Sequence, residues 1–74
     1  MGEQTKIKKN QEIIYQWEEI VKKYPDYRDG WMQLAYNYLK NNEIEKAKEA
    51  LMQAKSLDPN NKTIEELEKI LLRE

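Results

Sequence analysis

The 74-residue sequence predicts an all-α fold of about four helices arranged as antiparallel hairpins, and three observations carry that reading. Apolar residues recur at three- and four-residue spacing almost throughout. No stretch alternates with the period of two that a half-buried strand requires. Prolines at 25 and 59 and the pair Asn41-Asn42 punctuate the chain at short intervals, which makes consecutive helices antiparallel neighbours.

The first helix is expected from Asn10 to Tyr24, with Ile13, Trp17, Ile20 and Tyr24 on one inward stripe, Ile14 and Val21 widening it, and Pro25 stopping it. Residues 1–9, polar and lysine-rich apart from Ile7, read as a flexible N-terminal segment. In the second helix Asp26 is the expected N-cap with Asp29 three residues on, and Trp31, Leu34, Ala35 and Tyr38 turn inward. Asn41-Asn42 ends it, because asparagine tolerates a left-handed backbone, and Asn42 with Glu45 is expected to cap the next helix. That third helix should bury Ile44, Ala47, Leu51 and Ala54, with Ala50 and Leu57 alongside, and stop before Asp58-Pro59. The fourth is expected to start near Thr63, capped with Glu66, and to present Ile64, Leu67 and Leu71 with Ile70 beside them.

Composition narrows the chemistry. The chain has neither cysteine nor histidine, which removes disulfides, thiol nucleophiles and the commonest general base and metal ligand together. Neighbouring carboxylates such as Glu18-Glu19 and Glu65-Glu66 read as solvated faces and helix starts, so no enzyme activity, metal or cofactor is expected. Thirteen basic against fourteen acidic residues provide no net field toward nucleic acid, although Lys6, Lys8, Lys9, Lys22, Lys23 and Arg28 form a local basic group. No apolar run has the length of a membrane span, so membrane insertion is not expected, and a cytoplasmic setting fits the absence of cysteine.

An internal repeat decides between a generic bundle and something more specific. Ile13, Trp17, Ile20 and Pro25 return as Ala47, Leu51, Ala54 and Pro59, every landmark displaced along the chain by the same interval. Between them lies Trp31-x2-Leu34-Ala35-x2-Tyr38, and the unit closes on Leu57-Asp58-Pro59-Asn60-Asn61. These landmarks resemble the tetratricopeptide repeat. On that resemblance residues 28–61 form one complete repeat, residues 10–27 the second helix of a preceding half-repeat, and residues 62–74 a C-terminal capping helix, since Glu65 and Glu68 stand where tryptophan and leucine are expected.

The resemblance implies a non-catalytic scaffold that binds a peptide or helix of a partner protein on the concave face lined by the first helix of each hairpin. Carried onto this chain, the ligand-facing positions are Asp29, Met32, Gln33, Tyr36, Leu39 and Lys40. Met32 and Gln33 occupy the places where a lysine and an asparagine gripping a C-terminal carboxylate would be sought, so that mode of binding is not expected. A second reading starts from the missing first helix of the preceding repeat. Ile13, Ile14, Trp17 and Val21 are then expected to lack full cover, which a homodimer or swapped hairpin, or a longer repeat array containing this segment, would supply.

Overall fold

The computed structural model describes the backbone of residues 2–71 and the side chains of residues 9–71. The expectations for Lys6 and Lys8 therefore fall outside the described side chains, and those for residues 72–74 outside the described chain. Four α-helices follow one another among the described residues: α1 (Gly2–Lys23), α2 (Arg28–Lys40), α3 (Ile44–Leu57) and α4 (Lys62–Leu71). Each packs chiefly on its neighbours in the chain, α1 on α2, α2 on α3 and α3 on α4. The Cα extents of 42 × 32 × 16 Å show a slab about one helical hairpin thick.

α1 starts at Gly2, well before the expected Asn10. Nothing between Gly2 and Asn10 breaks a helix, and the lysines and glutamine there are good helix formers, so the backbone period continues beyond the apolar stripe that marked the start in sequence. The inward face also differs. Ile14 and Val21 are the buried residues of α1, whereas Ile13, Trp17 and Ile20 are half-buried and Tyr24 is exposed. The cause is that α2 covers only one flank of α1, and that flank carries Ile14 and Val21.

The core lies between α2 and α3. Leu34, Ala35 and Tyr38 from α2 meet Ala47, Ala50, Leu51 and Ala54 from α3, with Ile64 and Leu71 of α4 completing it. Ala47 and Ala54 have no exposed surface, the signature of two helices drawn close through small side chains. Trp31 is half-buried and spans the α1–α2 turn, its indole Nε1 donating to the Pro25 carbonyl at 2.9 Å. Gly30 serves a parallel purpose: a Cβ there would lie 2.9 Å from Val21 Cγ1 and 3.0 Å from the Tyr27 ring, so α2 can approach α1 only without one. Leu57, expected alongside the core, is exposed because it sits in the last turn of α3, at the rim of a shallow hollow shared with Tyr27, Arg28 and Asp29.

The expected caps shift by one or two residues. α2 is preceded by Tyr27 with no side-chain cap. Asp26 is drawn into a turn in which the Tyr27 N–H donates to the Tyr24 carbonyl at 3.0 Å, and Asp29 pairs with Arg28 at 2.8 Å. Asn42 adopts the expected left-handed conformation at φ 62°. Glu43 N–H then reaches the Tyr38 carbonyl at 2.8 Å and Asn42 N–H the Leu39 carbonyl at 3.0 Å, the bond pair of a Schellman closure. Because Asn42 is spent on that turn, Glu43 takes the N-cap place of α3 without a side-chain bond, and Glu45 pairs with Lys48 at 3.4 Å. Asn61, not Thr63, caps α4: its Oδ1 accepts the Ile64 N–H at 3.0 Å.

Candidate functional site

α2 carries opposite chemistry on its two sides. Leu34, Ala35, Asn37 and Tyr38 are buried, while Asp29, Gln33, Tyr36 and Lys40 form an exposed strip. Asn37 is accommodated in the packed side because its Nδ2 donates to the Gln33 carbonyl one turn back at 2.7 Å. Of the six residues expected to face a ligand, Met32 and Leu39 are half-buried and packed against the core, so they flank the strip instead of projecting from it. Tyr36 is its apolar element, 52% exposed, with the Lys40 ammonium 5.2 Å from its ring centroid.

α4 extends this face. Ile64 and Leu71 are buried at the places that Gly30 and Asn37 hold one repeat earlier, so α4 turns the same side toward α3 that α2 turns toward α1. The same displacement relates Tyr36 to Ile70, which is 58% exposed. Two apolar side chains thus stand open at equivalent positions of the first helices of successive hairpins. The outer flank of α4 is different, because Glu65 and Lys69 are exposed where α2 has Trp31 and Ala35.

Hydrogen bonds and ion pairs fix these helices relative to one another. Arg28 at the start of α2 pairs with Asp58 just beyond α3 at 2.5 Å, and Asp58 also accepts from Asn61 Nδ2 at 3.0 Å. The Asn61 and Arg28 bonds hold the Asp58 carboxyl below its usual range, and the Arg28 guanidinium is held correspondingly above its own. The Tyr38 hydroxyl donates to Glu18 of α1. Burial, then that bond, raises the phenol well above the ordinary tyrosine value and keeps it a neutral donor. Lys55 of α3 meets Glu68 of α4 at 2.6 Å. These partners were missed in sequence, yet the repeat marked one pair. Lys55 and Glu68 stand one repeat after Val21 and Leu34, both buried, so an apolar contact position between hairpins is occupied by an ion pair between the last two helices.

A cleft of about 620 Å³ lies on the other side of α2, lined by Glu18, Trp31, Leu34, Tyr38, Lys46 and Glu49 among others. It opens between α1 and α3, away from the Tyr36 strip. Of the four residues expected to self-associate, Ile14 and Val21 are buried within the chain; Ile13 and Trp17 remain half-buried. Among the described residues no helix is long and apolar enough to cross a membrane, and no three acidic side chains cluster as a metal site would need.

Antiparallel helices stacked in chain order, with landmarks returning at a fixed interval, define a helical-repeat module. Residues 29–61 match the family model of the tetratricopeptide repeat. That segment is a tetratricopeptide repeat and contains Trp31, Ala35, Tyr38, Ala47 and Pro59, and the described helices form an all-α fragment of that type. No curated protein and no solved structure matches the chain. A repeat of this family points at the general level to a protein-interaction scaffold.

Proposed function

We propose that the chain binds an extended peptide or a helix of a partner protein along the face formed by α2 and α4, without catalysis. The observation that carries this reading is the exposure of Tyr36 and Ile70 at equivalent places in successive first helices, flanked by Asp29, Gln33 and Lys40. An apolar residue on each helix within a charged border gives a segment alternate anchors and polar edges. α4 acts as a capping helix, its outer flank solvated by Glu65 and Lys69. The test is a displayed peptide library selected against the protein, with binders mapped by amide chemical shifts. Selected peptides should perturb Tyr36 and Ile70 and lose about tenfold or more in affinity to Tyr36→Ala, a change of about 1.4 kcal/mol. Binders that map elsewhere and ignore Tyr36→Ala would remove this face from consideration.

A further inference from the structure

α1 carries a second, independent surface. Ile13, Trp17, Ile20 and Tyr24 follow one another at spacings of four, three and four residues, the repeat of a seam that receives another helix. Trp17 packs against the core by part of its surface, whereas Ile13 and Ile20 are outside the core cluster and Tyr24 is 56% exposed. The seam leads to a hollow of about 540 Å³ formed by Lys23, Tyr24, Pro25, Asp26 and Tyr27.

The fold itself shows what covers such a seam. Ile13, Trp17 and Ile20 stand one repeat before Ala47, Leu51 and Ala54, and those three are buried beneath α2. An occupant of the α1 seam therefore takes the place that α2 has on α3, an antiparallel helix. It differs from α2 in two respects that this chain dictates. Isoleucines replace alanines at 13 and 20, so small residues must face them for the backbones to approach. The free edge of the seam carries Lys9, Gln16 and Lys23, all exposed, while Glu12 and Glu19 stand one step further out, Glu19 paired with Lys22 at 3.5 Å. That edge asks for carboxylates.

A second copy does not supply them. A two-fold antiparallel pairing of α1 sets the Lys9–Gln16–Lys23 edge against itself, and a parallel one sets it against Ile14 and Val21, which α2 covers. Stacking α1 onto α4 of another copy would press isoleucine and tryptophan onto exposed Glu65 and Lys69. We infer that the α1 seam receives an acidic-edged amphipathic helix of a partner protein, with small residues opposite Ile13 and Ile20, in the position of the first helix of a preceding repeat.

The probe is a pair of stapled helical peptides of about four turns. Both carry the same leucine and alanine stripe, and the exposed edge is glutamate in one and lysine in the other. Fluorescence anisotropy should show the glutamate peptide binding about tenfold more tightly, since the pairs made by Lys9 and by Lys23 both change from repulsive to attractive. The exposed double substitution Lys9→Glu/Lys23→Glu should reverse the preference with an unchanged helical circular dichroism spectrum. Tyr36→Ala should leave the affinity as it was, which separates this surface from the α2–α4 face. Equal affinities, absence of binding by both peptides, a preference that survives the double substitution, or loss of binding in Tyr36→Ala would each overturn the inference. So would sedimentation showing a wild-type dimer from which the peptide is excluded.

Discussion

Asp58 follows the last turn of α3 and binds both Arg28, at the opposite end of the repeat, and Asn61, which caps α4. One carboxylate therefore joins the beginning and the end of the repeat. Its pKa lies below the usual value, with the Asn61 bond the larger cause and Arg28 the next. A carboxyl more acidic in the folded chain than in the unfolded one stabilises the fold at pH values above the unfolded pKa, about 3.9, and loses that contribution as pH falls through the folded value. The midpoint of thermal unfolding should thus exceed that of Asp58→Asn at neutral pH, and the gap should close below about pH 4. A gap of constant size down to the acid limit would mean that the charge of Asp58 contributes nothing. Tyr38 follows the opposite sign. Its raised phenol pKa withdraws stability only as pH rises above the ordinary tyrosine value of about 10, beyond the range in which Asp58 acts.

At the scale of the helices, the period of the apolar residues fixed where α2, α3 and α4 lie, because each buries one stripe against a neighbour and the stripe is written in the residue types. The turns were less legible. Capping depends on which of several adjacent polar residues is drawn into the preceding turn, and that is settled by backbone bonds. Asp26 and Asn42 were both taken up in turns, leaving Tyr27 and Glu43 at the helix starts. The face of α1 was misread for a related reason. Its apolar residues cover more than one flank, and only the position of α2 decides that Ile14 and Val21 are the covered ones. The candidate ligand face was partly legible: the residue numbers came from the family resemblance, but the division between exposed Tyr36 and packed Met32 and Leu39 required coordinates. Asn61 offers a direct check on capping. Asn61→Ala removes the acceptor of the Ile64 N–H and a donor to Asp58, and should cost about 1 kcal/mol in urea unfolding. Thr63→Ala, one residue inside the helix and exposed, should change stability by less than about 0.5 kcal/mol. Equal losses at the two positions would return the cap to Thr63.

The whole molecule is a short stack in which cover is unequal. α2 and α3 each have a neighbour on two sides, whereas α1 rests chiefly on α2 and α4 on α3. In an array held by nearest-neighbour contacts, the outer helices open without dismantling the inner pair. Native-state hydrogen exchange should accordingly show the slowest amides in α2 and α3 and faster exchange along α4, whose hold on the stack is Ile64, Leu67, Leu71 and the Lys55–Glu68 pair. Two truncations separate this graded picture from a single cooperative unit. Leu51→Ala, in the centre of the α2–α3 contact, should cost about 2 to 5 kcal/mol and speed exchange throughout the chain. Ile64→Ala should free α4 while protection in α2 and α3 falls far less, because Leu34, Ala35, Tyr38, Ala47, Ala50, Leu51 and Ala54 still pack those two helices together. If Ile64→Ala instead lowered protection equally in all four helices, the stack would unfold as one body. The surfaces proposed on α1 and on the α2–α4 face would then be stabilised together whenever either one is occupied.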